Sequence, residues 1–113
     1  MKGVDNIEFR LKSLNIEYIK EFLPIVGHQF RSDFYVPSLN LLIEFEGIVS
    51  NKSRHTTILG YSKDCEKYNL ISLAGYKLLR YTTITVHNLG NDLTALINNQ
   101  VERRSIVLKK TKR

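Results

Sequence analysis

The chain has 113 residues, 42% hydrophobic and 25% charged, which suits one globular domain with a real core and is too short for two. Its single cysteine, Cys65, rules out an internal disulfide and any zinc site built on several cysteines, and fits a reducing compartment. The formal net charge is +6, and residues 101–113, "VERRSIVLKKTKR", carry most of it, with six Lys or Arg against one Glu.

The N-terminal "MKGVDNIEF" lacks the apolar segment of a signal peptide, and no apolar run approaches a membrane span. The expected setting is the cytoplasm of a bacterium or of a phage-infected cell. Along the chain, Asp5 or Asn6 can cap a first helix whose Ile7, Leu11 and Leu14 share a face. "YIKEFLPI" reads as a strand up to Pro24, and "HQFRSDFYV" as the next, stopped by the turn "PSLN". "LLIEFEG" returns antiparallel and ends at Gly47, before a polar, basic loop at 48–58. "GYSKDCEKYNLISLAG" is the clearest helix: Tyr61, Cys65 and Tyr68 share a face, Leu70 to Ala74 continue the burial, and Gly75 stops it. "YKLLRYT" is a strand, and a last helix runs from Asn91 to Arg103 with Leu93, Leu96, Ile97 and Val101 apolar. The order α-β-β-β-α-β-α predicts an α/β (α+β) sandwich with a mixed sheet. Residues 1–104 form one domain and residues 105–113 a basic tail, suited to a phosphate backbone or simply solvated.

The chemistry concentrates in "DFYVPSLNLLIEFEG". Glu44 and Glu46, two apart on a strand, face the same way, and a hairpin turned at Pro37 to Asn40 brings Asp33 back beside Phe45 and Glu46. Three converging carboxylates repel and raise one another's pKa values, and a hard cation such as Mg²⁺ relieves this. The alternative is that the glutamates lie on a solvated face. His55, in "SRHTT", is a candidate for orienting or deprotonating water beside a metal. Asp64 and Lys67, three apart on the next helix, either face the same cleft or form a surface ion pair. Glu8 lies beside the apolar stripe of the first helix, His28 and His87 have no partners at suggestive spacing, and Cys65 reads as a packed thiol. There is no Gly-rich phosphate loop.

With "FRSDFYVPSLNLLIEFEG", then "SRHTTILGYSKDCEKYNL", then "GYKLLRYT", the chain resembles the PD-(D/E)xK nuclease superfamily over about residues 5–82. It looks most like the branch of very-short-patch-repair endonucleases, their homing-endonuclease relatives and small phage nucleases. The resemblance implies a restriction-endonuclease-like αβββαβ core and a hydrolase that cuts DNA with Mg²⁺ or Mn²⁺. It implies Asp33 as the central metal ligand, Glu44 as the second acidic position and the Phe45 carbonyl as the main-chain ligand. His55 would match the branch's water-activating histidine, Asp64 the acidic residue that supports it, and Glu8 the glutamate of the first helix, with Glu21 a rival for that place. Relatives carry Lys where this chain has Glu46, so Lys63, Lys67 or His55 must take over that role. The zinc site of the mismatch-repair members cannot be built with one cysteine. Lys52, Arg54, Lys63 and the tail residues Lys109, Lys110, Lys112 and Arg113 are the expected phosphate contacts. Double-strand cutting by so small a chain would suggest a homodimer, whereas nicking needs one copy. Two other functions fit: a structure-specific resolvase acting on Holliday-type junctions, and a non-catalytic nucleic-acid-binding module of the same fold.

Overall fold

A computed structural model describes residues 2–47 and 57–99. The chain runs α1 (Gly3–Ser13), β1 (Ile19–Phe22), β2 (Ser32–Val36), β3 (Leu41–Phe45), α2 (Ile58–Leu73), β4 (Lys77–Tyr81) and α3 (Leu89–Asn98), the order expected from the sequence. Short 3₁₀ turns at Pro37–Leu39 and Val86–Asn88 lead into β3 and α3. Among the described residues no helix is long and apolar enough to cross a membrane.

The strands form one sheet in the order β1-β2-β3-β4. The first three are antiparallel neighbours, and β4 runs parallel to β3, reached through the α2 crossover that parallel pairing demands. The β2–β3 turn is set by Pro37, whose ring fixes its backbone, and by Asn40, which takes a left-handed conformation (φ 49°) that asparagine tolerates better than most residues. Asn40 is tied on every side. Its Oδ1 accepts from Tyr35 OH at 2.9 Å, its Nδ2 donates to the Gly75 carbonyl at 3.1 Å, and its own carbonyl accepts from Lys77 N–H at 3.0 Å.

Strand alternation sends Phe34, Val36, Leu41 and Ile43 to one face, where they are buried against Ile7 and Leu11 of α1, Leu89 and Leu93 of α3, Tyr81 and Val86. Phe45 closes this core at the α1 end. Its ring lies against Gly3, where an added Cβ would collide with it and force the ring to shift. The opposite face carries Glu44 and Leu42, and α2 covers it. β3 is therefore covered on both sides, which explains the unbroken apolar run Leu41–Ile43.

Several local expectations are corrected. Lys2 stands at the N-cap of α1, and Asp5 falls in its first turn, where a carboxylate complements the helix dipole without capping. Leu14 lies beyond the helix and is largely exposed, leaving Ile7 and Leu11 as its buried positions. The strands proper are shorter than the apolar segments suggested, because Pro24 and Gly27 (φ 85°) shape the β1–β2 connection. On α2 the buried residues are Gly60, Asp64 and Ile71, while Tyr61, Cys65 and Leu73 are exposed. The helix packs its polar side inward because the sheet face beneath it carries Glu44, so apolar periodicity selects the wrong face and Cys65 is not a packed thiol. α3 starts earlier than expected, at Leu89, and ends at Asn98, where Asn99 turns left-handed (φ 55°). The expected extension to Arg103, the loop at 48–56 and the tail at 105–113 lie outside the described residues.

Candidate active site

Phe34 pairs with Ile43 across β2 and β3, so Asp33 and Glu44 are the next cross-strand neighbours. The hairpin thus delivers the two carboxylates side by side, and each of the three acids has a different neutralising partner. Asp33 Oδ2 accepts the Phe45 N–H at 2.7 Å. Glu44, whose side chain is only 7% exposed, meets Lys67 of α2, whose Nζ lies 3.1 Å from each carboxylate oxygen. Glu46 accepts from Arg80 Nε at 3.2 Å. Tyr68 ties the last two together, its hydroxyl 3.3 Å from both Glu44 Oε1 and Glu46 Oε2, and the Arg80 guanidinium stacks 4.2 Å from the Tyr68 ring.

Burial pushes the Glu44 carboxyl above the usual range. Lys67 opposes that push, and the negative charges of Glu46 and Asp33 add to it. The Tyr68 hydroxyl is driven far up by burial and by the charges of Glu44 and Glu46, so it is a fixed hydrogen-bond donor at neutral pH.

This donor set suits a hard cation. Mg²⁺ is commonly held by one or two carboxylates plus water, and Asp33 and Glu44 supply two on facing strands. Glu44 Oε2 is buried and accepts no hydrogen bond among the described residues. Lys67 already holds a positive charge against it. Among the described residues no group of three His, Cys, Asp or Glu side chains is placed to hold a metal ion, so the three-carboxylate convergence expected from the sequence is reduced to the Asp33–Glu44 pair, and water would fill the remaining positions.

The structure links Glu44, Glu46 and Lys67 by hydrogen bonds and sets Asp33 across from Glu44, its carboxylate accepting the Phe45 N–H. Asp64 is buried on the same face of α2, close enough for its charge to act on Tyr68. Lys67 pairs with Glu44, not with Asp64 as a surface ion pair. Glu8 is engaged elsewhere: it accepts from Tyr18 OH at 2.5 Å and from Lys20 at 3.3 Å, and these contacts hold its carboxyl below the usual range. Its rival Glu21 is exposed in an ion pair with Arg31. Lys63 is exposed on α2, and His87 is exposed ahead of α3. His55, Lys52, Arg54, Lys109, Lys110, Lys112 and Arg113 lie outside the described residues. Tyr68 and Arg80 had no role in the sequence reading. Tyr68 had a signal, since it follows Asp64 by one helical turn, whereas Arg80, the register partner of Glu44, is placed only by the closing of the crossover.

A four-stranded mixed sheet with a helical layer on each face, its carboxylates at the end of the central hairpin, is an endonuclease-like α+β core. Compared as a sequence, the chain matches no family profile and no curated protein. Compared as a structure, it is similar to the catalytic domain of the homing endonuclease I-Bth0305I, with a TM-score of 0.63 and 16% identity over 87% of this chain and 95% of that one. At that identity the likeness establishes a shared fold.

Proposed function

We propose that the chain is a divalent-metal-dependent DNA endonuclease of the PD-(D/E)xK type, most like the very-short-patch-repair branch. The observation that carries this reading is the Asp33–Glu44 cross-strand pair, with Glu44 buried against Lys67, on a fold shared with a homing endonuclease domain. A structural scaffold gains nothing from two adjacent carboxylates and a lysine in a covered face, since a buried ion pair is a poor source of stability.

Asp33, Glu44 and the Phe45 carbonyl are the groups that would hold Mg²⁺ or Mn²⁺. Such an ion supplies neutralisation of the scissile phosphate and a water of lowered pKa. Lys67 takes the place of the lysine that relatives carry at the position of Glu46, and its ammonium is set to bind a phosphate oxygen beside Glu44. Arg80 and Tyr68 engage Glu46 and balance its charge beside Glu44. His55, supported by Asp64, handles the protons.

The test is incubation of supercoiled, linear and branched DNA with the protein in Mg²⁺, Mn²⁺ or EDTA. Cleavage in the metals and none in EDTA is expected, with Asp33→Asn inactive. Selective cutting of the branched substrate would favour the resolvase reading. Binding without cleavage in any metal would leave the non-catalytic module.

A further inference from the structure

Beside the carboxylates lies a second feature that hydrolysis does not require. A cavity of about 210 Å³ is lined by His28 and Phe30 from the β1–β2 connection and by Lys63, Glu66, Lys67 and Leu70 from α2. The His28 and Phe30 rings stand 5.6 Å apart at 48°, an open wedge and not a stack. Phe30 and Leu70 make the lining partly apolar, and it holds two lysines against one glutamate.

The wall is well anchored. Tyr76 OH donates to the Pro24 carbonyl at 3.1 Å, and His28 N–H donates to the Ile25 carbonyl at 3.1 Å. Phe22 stacks on Tyr35 at 4.2 Å, fixing the connection where it leaves β1. The rings are therefore presented by a braced segment.

Lys67 belongs to both sites. Its Nζ lies 3.1 Å from the Glu44 carboxylate and 5.6 Å from the centre of the Phe30 ring. The cavity thus adjoins the carboxylates through Lys67. An aromatic ring, a half-open imidazole and flanking ammonium groups together match a base and its phosphate. A base inside a duplex has both faces covered by its neighbours, so only an unpaired or extruded base can enter such a wedge.

We propose that this cavity is a nucleobase subsite that takes the unpaired base next to the scissile phosphate by stacking it on Phe30, with Lys63 on its phosphate. The inference rests on the endonuclease reading for the identity of the ligand. It implies that unpaired nucleotides beside the cut site favour binding whatever their sequence, because every base has a π-face.

The test uses the full chain in EDTA and two fluorescent single strands of equal length and charge, one with natural bases and one fully abasic. Binding is followed by anisotropy. The wild type should bind the natural strand more tightly by about 5- to 150-fold, the usual worth of one base–aromatic stack. Phe30→Ala should lose most of that difference while binding the abasic strand like the wild type, which also reports that the variant is folded. Phe30→Trp should restore the preference. Equal affinity of the wild type for both strands overturns the proposal, as does a Phe30→Ala variant that keeps the preference or weakens on both strands alike. Cleavage in Mg²⁺ is scored separately. Cleavage without a base preference removes the subsite and leaves the endonuclease, and a base preference without cleavage does the reverse.

Discussion

Replacing Lys67 by methionine keeps the length of the side chain and deletes its charge, leaving Glu44 buried at 7% side-chain exposure without its cation. Removing one partner of a buried pair costs about 3–5 kcal/mol. Here the loss is smaller, about 2–3 kcal/mol, because Lys67 is 18% exposed and the Tyr68 hydroxyl stays 3.3 Å from Glu44 Oε1. For a domain of this size that lowers the melting temperature on the order of 10–20 °C. The loss depends on pH. Burial already raises Glu44 above its unfolded value, so the folded chain holds that proton more tightly than the unfolded chain does. Protonation on acidification therefore stabilises the fold, and the defect should be largest at pH 8 and shrink towards pH 5. Mg²⁺ should substitute for the missing ammonium. A ligand at a hundred times its Kd contributes about 2.7 kcal/mol, enough to restore most of the loss. The wild type should gain less, because the ion must first displace Lys67 from Glu44. The assay is thermal unfolding of both proteins at two pH values, with and without Mg²⁺. A variant as stable as the wild type in EDTA, or one that Mg²⁺ leaves unmoved, would refute the idea that Lys67 stands where a cation belongs.

Four further outcomes are expected. Asp33→Asn should abolish metal binding, seen by calorimetry with Mn²⁺, while the fold survives because an amide oxygen can still accept the Phe45 N–H. His55→Ala should slow cleavage by about 10²–10⁴-fold with metal and DNA binding nearly intact, whereas near-normal cleavage there together with an inactive Glu46→Ala would transfer the base role to Glu46. Gly3→Ala drives a methyl group into the Phe45 ring and should cost about 1–3 kcal/mol in denaturant unfolding; no loss would show that Phe45 has room to move. Tyr18→Phe removes the largest contact holding Glu8 below the usual carboxylate range. Because a depressed pKa stabilises above the unfolded value and the benefit disappears on acidification, the variant's NMR titration of Glu8 should shift upward and its acid unfolding begin at a higher pH.

The sequence was most informative where neighbours in space are neighbours in the chain. The hairpin, its turn at Pro37 to Asn40 and the pairing of Asp33 with the glutamate strand all follow from alternation and turn chemistry within one short segment. The parallel partner was legible as a strand, yet the position of Arg80 beside Glu44 depends on how the crossover closes, which local pattern does not encode. α2 was misread for a related reason. Helical periodicity finds an apolar face, whereas here the buried face is chosen by the acidic strand beneath it, so Asp64, Lys67 and Tyr68 turn inward and Cys65 outward. Glu8 looked available because its partners lie beyond its own helix, Tyr18 just before β1 and Lys20 within it.

Asn40 has a consequence for what the chain can tolerate. Its side chain and its carbonyl hold Gly75 and Lys77, so the first rung between β3 and β4 is fastened at the turn, far along the strand from Glu44. From that rung the spacing of the strands carries the register to Glu44 and Arg80 without help from the connection between them. The alignment of the two strand ends is therefore set within the sheet itself. A substitution at Asn40 would therefore loosen the register that sets Glu44 beside Arg80.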